Sequence, residues 1–453
     1  MAIQKIFQSS IDAIEVYYDW FGEHRLIGYV TLQNNRPVFG YDPSWLASGY
    51  ELSPIEMPLQ SKLYQGKHHS SHYLCGLIAD SLPDGWGMLL MDRFFRKELS
   101  VAVNDVNVLH RLAYIGDRAM GALSFRPIHH STTDDAELSL SQIAQANEKI
   151  LSGQDSEILA ELIVVGGSPQ GARPKALVMF DIDTQTISTD LKQTYQHNTH
   201  PDDTNHATPW LIKFPAQHED KSVCLLEALY ADMATQAGLV IPKHHYFNID
   251  SNHAAFGVER FDRVSNTISS QGNEKDHQRK STLERVHIHT LAGLLDLDFR
   301  LPSLDYLSYL RCVRMMTQSQ AQVEQAYRHV VFNVVMNNKD DHSKNFSFMM
   351  DKHGNWRLAP VYDVTYNTGI NGYHQMDVCG EAQNPTLSNL LKLAKLADIK
   401  TSHAKAIVEQ VVITAEHLLA IINDYPIHKA LIADVQRDIN TNVSRMVNTS
   451  LRR

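Results

Sequence analysis

What the chain lacks narrows its chemistry before any motif is considered. Its four cysteines, Cys75, Cys224, Cys312 and Cys379, stand far apart and include no CxxC pair, so neither a disulfide framework nor a zinc knuckle is expected. The twenty-four histidines are scattered and form no HExxH or comparable ligand pair, so they are read as surface or satisfied core residues. No stretch approaches the ~18 apolar residues of a membrane span, and the N-terminus lacks a basic start followed by a sustained apolar run. A cytoplasmic protein with no membrane attachment is expected. Positive charge is also in deficit. A formal net charge of -10 argues against direct binding of nucleic acid through many phosphate contacts, so any association with DNA should run through a partner.

What is present fits a globular chain of several packed units, with 453 residues, 43% of them hydrophobic and 20% charged. Residues 1–130 open with short β-type runs, Leu26 to Leu32 and Pro37 to Tyr41, separated by turn residues such as Asn34-Asn35, and continue through the turn-then-helix LPDGWGMLLMDRFFRKEL. A polar stretch at 129–139 marks a boundary. Over 131–262 the runs Glu161 to Val165, Lys175 to Phe180 and Trp210 to Pro215 read as strands. A helix over Ser222 to Gly238 follows, with Leu225, Leu229, Met233 and Ala237 on one face, and then come two more strands, HHYFNI and AAFGVERF. The third part, 263–453, is mostly helical, and its segment Gln320 to Asn337 carries the broad apolar face of a core helix. Gln185 to Thr208 and Ser265 to Lys280 are polar enough to be loops.

Five strands with one helix between the third and fourth, followed by a helical half, is the layout of an α+β, two-lobed kinase. Phosphoryl transfer needs a backbone cradle, a lysine, a base and metal ligands. The segment NNKDDHSKNFSF lies just beyond the core helix, and its Asp340 and Asn345 have the spacing of the Asp and Asn in the HRDxxxxN loop of protein kinases. There the carboxylate accepts the proton of the attacking hydroxyl and the amide oxygen binds magnesium. Asp363, in LAPVYDV, is a second hard oxygen ligand, and together the three suit Mg-ATP. Upstream, GGSPQGARPK brings Gly166, Gly167, Ser168, Gln170, Gly171, Ala172, Arg173 and Lys175 into a turn whose N–H groups could approach phosphate oxygens, although it is neither a Walker A nor a GxGxxG sequence. Lys213 inside an apolar strand needs an anion, and Glu227 on the next helix could pair with it. Glu259, Arg260 and Phe261 are the candidate hinge for adenine. Each feature alone has a plainer explanation: a polar turn, a flexible hairpin, an exposed helix glutamate, an ordinary strand end.

The ordered series LPDGWG, YIGDRAMGAL, GGSPQGARPK, WLIKFP, GVERFDR, DDHSKNFSF and LAPVYDV resembles the HipA-type kinases of bacterial toxin-antitoxin pairs. The resemblance implies a HipA-like serine/threonine protein kinase that acts as a toxin and phosphorylates a protein of the translation apparatus, such as an aminoacyl-tRNA synthetase or another translation factor. It also implies a helix-turn-helix, HipB-like antitoxin as partner. Carried over by position, Asp340 is the base, Asn345 and Asp363 are the magnesium ligands, Lys213 contacts ATP phosphates, and His342, Ser343, Lys344 and Tyr362 line the nucleotide site. The family often has glycine after the catalytic aspartate, whereas Asp341 stands here and is expected to add negative charge near the phosphates. Autophosphorylation in or near the glycine-rich loop would fall on Ser168. Two other functions stay open on sequence alone: a kinase of a small-molecule or lipid hydroxyl, and a catalytically silent co-repressor.

Overall fold

The computed structural model describes residues 11–20, 23–97, 99–128, 137–154, 156–166, 169–189, 198–199, 207–268 and 279–446. The first unit is an antiparallel sheet in which Leu63–Tyr64, Arg36–Tyr41, Glu23–Gln33, Ala13–Trp20 and Leu123–Arg126 lie side by side. Its hairpin turns at Asn34 and Asn35. Both take positive φ, 50° and 63°, as a tight turn between right-twisted strands demands, and Gln33 pairs with Arg36. The helix Gly85–Lys97 buries Trp86, Leu90, Met91, Phe94 and Phe95, whose helical spacing keeps them on one face.

A second antiparallel sheet runs in the order His244–Asn248, Ala254–Glu259, Thr208–Lys213, Lys175–Asp181 and Thr186–Ser188. The expected number of strands is right and their membership is not. Glu161 to Val165 is helical, within Leu159–Gly166. Five residues are too few for periodicity to separate a buried strand from a buried helix, whereas Leu159, Leu162 and Val165, all buried, have helical spacing once the window is widened. The fifth strand, Thr186–Ser188, comes from a segment expected to be loop, and the other polar segment likewise ends in paired strands, Arg263–Ile268 with Arg279–Arg285. Those ladders rest on backbone hydrogen bonds, which polar composition does not reveal. The helix Ser222–Gln236 covers the second sheet and stops where Gly238 takes a φ of 84°.

One apolar interior serves both the first unit and the second sheet, since Trp86, Leu90 and Phe94 share it with Ala176, Val178 and Ile212. The two are also joined by charge. Asp262 is 1% exposed, lies between Arg260 and Arg263, and accepts from the N–H of Gly121 at 2.8 Å.

The helical half has its own core around Gln320–Val335, where Val323, Tyr327, Val330, Val331, Val334 and Val335 are all buried. Among the described residues one helix, Thr401–Asp424, is long and apolar enough to cross a membrane, contrary to the expectation that no stretch comes close. One face of it packs into the core through Ala404, Val408, Val411, Ala415 and Leu418, while Lys405, Glu409 and Glu416 stay exposed. The four cysteines are unpaired thiols. The whole is an α+β, two-lobed kinase-like fold in which Lys213 and Lys175 of the second sheet come up against Asp363 of the helical half.

Candidate active site

Lys213 ends a strand and Glu227 sits on the buried face of the following helix, so the fold closes them into a pair of 2.6 Å. The ammonium also meets Asp363 Oδ1 at 2.5 Å. Burial pulls the Lys213 pKa down, and Asp363 and Glu227 more than offset it, so the lysine is held charged above its ordinary value. Conversely, burial pushes the Asp363 carboxyl up, and Lys213 with Lys175 draws it well below the usual carboxylate range. Asp363 takes a φ of 57°, a left-handed conformation uncommon for a side chain larger than glycine, and keeps 37% of its side-chain surface open to the cleft.

Asp340 follows the buried helix. Its side chain is 49% exposed, and burial of the group lifts its pKa, with His342 opposing and Asp363 and Asp341 adding to the rise. His342 Nε2 lies 3.8 Å from it. Asn345 Nδ2 donates to the Asp340 carbonyl at 2.8 Å, which fixes the loop and leaves Oδ1 as the acceptor. The Asp363 carboxylate and the Asn345 amide oxygen are hard donors of the kind magnesium takes, and the repulsion between Asp340 and Asp363 is what a neighbouring dication would relieve. Among the described residues no group of three His, Cys, Asp or Glu side chains is placed to hold a metal, so this set depends on the amide.

Asp341 corrects the sequence reading. Its side chain is 1% exposed and turned into the helical lobe, where it accepts from the Tyr306 hydroxyl, from His374 Nδ1 at 2.8 Å and from the Gln375 N–H at 2.7 Å. Three donors compensate the charge, which reaches the cleft only as a background field on Asp340.

Gly167 and Ser168 lie outside the described residues. Gly166 closes the helix Leu159–Gly166. Gln170, Gly171 and Ala172 curl against the first unit, and Arg173 pairs with Glu219 at 2.7 Å and approaches Glu227 at 3.5 Å. Burial lowers the Lys175 pKa to about 8, with Lys213 adding to the drop and Asp363, Glu227 and Asp84 opposing it. Buried Lys175 and Lys213 and the half-buried Arg173 thus form a basic cluster beside the loop, suited to an anion.

The remaining candidates have structural partners. Lys344 pairs with Asp84 at 2.9 Å, Ser343 is buried, and the Tyr362 hydroxyl lies 2.6 Å from both the Lys344 carbonyl and Ser347, bracing the loop from behind. Phe261 tilts against Tyr362 with ring centroids 5.8 Å apart. At the candidate hinge the Glu259 N–H donates to Lys243 O and the Arg260 N–H to Pro209 O, while the Arg260 guanidinium is committed to Asp262. Asp84 and Glu219 were not singled out from sequence. The LPDGWG motif was the available signal for the first, and nothing marked the second.

Comparisons with known proteins follow the same lines. Residues 18–126 match the family model described as HipA N-terminal domain, and residues 167–419 match that described as HipA-like C-terminal domain. A Haemophilus influenzae protein with a provisional kinase name is 26% identical over 171 residues, which cover 32% of this chain and 50% of that protein, so the chain spans about half the length of this relative. The fold is similar to that of a solved complex, the Shewanella oneidensis toxin-antitoxin system HipA, HipB and its operator DNA, with a TM-score of 0.63 at 16% identity, covering 95% of this chain and 96% of that one. The Helicobacter pylori proinflammatory kinase CtkA aligns over 53% of this chain and 85% of its own at 12% identity, with a TM-score of 0.30, too low to carry an argument.

Proposed function

The chain belongs to the HipA-like family, and from that premise we propose that it is an ATP-dependent serine/threonine protein kinase, the toxin of a toxin-antitoxin pair. The observation that supports the reading is that Lys213 bridges Glu227 and Asp363, while Asp340 lies near enough to feel the Asp363 charge and Asn345 donates to the Asp340 carbonyl.

In this reading Lys213 and Lys175 hold the phosphates of ATP from the sheet side, and N–H groups of the glycine-rich loop cover them. Asn345 and Asp363 would hold magnesium, which when bound neutralises phosphate charge. The acceptor hydroxyl sits against Asp340. Its oxygen bonds to the γ-phosphorus, the bond from that phosphorus to the ADP oxygen breaks, and the hydroxyl proton passes to the Asp340 carboxylate. Burial and the neighbouring carboxylates raise the proton affinity of Asp340, as suits an acceptor. The adenine would meet the backbone at Glu259–Phe261 through the Phe261 N–H or a carbonyl, since the Glu259 and Arg260 N–H groups are committed to Lys243 and Pro209.

The solved HipA relative is held with HipB and operator DNA. By analogy, a helix-turn-helix antitoxin is proposed as partner here, with DNA reached through it, in keeping with a net charge of -10. The proposed target is a protein of the translation apparatus, in the cytoplasm. The test is transfer of labelled phosphate from ATP by the purified chain. Label on serine or threonine of a protein substrate supports the reading, and label on small alcohols alone overturns it in favour of a small-molecule kinase.

A further inference from the structure

The first unit reaches the cleft at one turn, Leu82 to Gly85, and there it grips the glycine-rich loop. Gln170 Nε2 donates to Asp80 O at 2.7 Å and to Leu82 O at 3.3 Å. The Gly171 N–H donates to Asp84 Oδ1, and the Gly171 carbonyl accepts from the Trp86 N–H at 3.0 Å. The approach is so close that a Cβ on Gly85 would come within 2.7 Å of Ala172 Cα and of the Gly171 oxygen, at a φ of 39°. The other oxygen of Asp84 accepts from Lys344, one residue before Asn345. A single carboxylate, 13% exposed, therefore ties the loop over the cleft to the loop beneath it.

The base of this grip is itself hydrogen-bonded. The Asp80 carboxylate accepts from His289 Nδ1 at 2.7 Å and from the N–H and hydroxyl of Thr290, both at 2.8 Å, anchoring the turn to the helical side. Burial pushes the Asp84 carboxyl up, and Lys344, the Gly171 N–H and Lys175 together bring it below its ordinary value, so it is ionised at neutral pH.

We propose that Asp84 is a positioning residue through which the N-terminal unit fixes the glycine-rich loop over the catalytic loop and so sets nucleotide affinity. This rests on reading the cleft as the nucleotide site. Gln170 and Gly171 are held against the N-terminal turn by the protein itself, so part of the ordering that nucleotide binding would otherwise require is done in advance.

The experiment uses the full chain carrying Asp84→Asn, which keeps the shape and removes the charge, and separately Gln170→Ala, which cuts the second tether at the loop itself. Two quantities are read: the dissociation constant for Mg-ATP by calorimetry, and hydrogen exchange of the Gly171 and Ala172 amides without nucleotide. Asp84→Asn should weaken Mg-ATP about tenfold, the scale of one charge-assisted hydrogen bond. Both variants should speed exchange at Gly171 in the absence of ligand. For Asp84→Asn the turnover rate at saturating ATP should stay within about threefold of wild type, because the proton acceptor is untouched. Unchanged affinity and unchanged exchange in both variants overturn the proposal, as does a fall in turnover with no change in affinity. Wild-type phosphate transfer with an inert Asp84→Asn removes this proposal and leaves the kinase reading standing. Asp84-dependent Mg-ATP binding without phosphate transfer removes the kinase reading and keeps the clamp. A wild-type chain that does not bind Mg-ATP removes both.

Discussion

Lys213 and Glu227 meet at 2.6 Å with both side chains almost closed to water. A pair this buried says little about stability and more about placement, since it holds the ammonium beside Asp363. Lys213→Ala is expected to weaken Mg-ATP by roughly 10- to 100-fold, the equivalent of ~1.5–3 kcal/mol for a hydrogen bond to a charged group. Calorimetry reads this directly, and an affinity equal to wild type would remove the lysine from the nucleotide site.

Asp340→Asn keeps the volume of the side chain and removes its capacity to accept a proton. Phosphate transfer should fall by ~10²–10⁴-fold, and any growth arrest on expression should be lost, while the melting curve stays that of the wild type. Unaltered transfer in a folded variant would sink the assignment.

Asp262 is the charge that joins the N-terminal unit to the sheet. Asp262→Ala leaves two buried guanidiniums beside each other without the carboxylate between them, at a cost of about 3–5 kcal/mol. Burial raises the carboxyl, but Arg260 and Arg263 hold it well below the usual range. A depressed folded-state value means the contribution is full above pH ~4 and fades as the pH falls further. Urea midpoints should therefore show a gap between variant and wild type that is widest at neutral pH and narrows in acid; a gap that widens in acid contradicts the pairing.

Asp341→Ala separates the two readings of that residue. If its charge acted in the cleft, its removal would change Mg-ATP affinity. The buried geometry instead predicts a loss of about 2–4 kcal/mol in stability, from leaving the Tyr306 hydroxyl, His374 and the Gln375 N–H without their shared acceptor, with affinity close to wild type. Chemical denaturation and calorimetry on the same preparation distinguish the outcomes.

The parts legible in sequence were those encoded by spacing. Asp340 and Asn345 share a loop, Lys213 and Glu227 lie on consecutive elements, and the apolar stripe of Gln320–Val335 announces its own burial. What escaped depended on direction and distance. That Asp341 turns inward to Tyr306 and His374 is decided by the backbone of a turn, which has no period to read. The bond from Asp84 to Lys344 spans 260 positions, and only the folded chain brings its ends together. The helix Leu159–Gly166 was misread because a short apolar run fits two elements, and the strand Thr186–Ser188 because its residues are polar.

The interior shared by Trp86, Leu90 and Phe94 with Ala176, Val178 and Ile212 bears on how the protein is handled. A fragment beginning at residue 167, where the second family match starts, would strip one wall from that interior and lay bare the inner face of the sheet carrying Lys213. Such a truncation should clump on expression instead of yielding a minimal catalyst, and the two halves, co-produced as separate chains, should rescue each other by reassembling the missing wall.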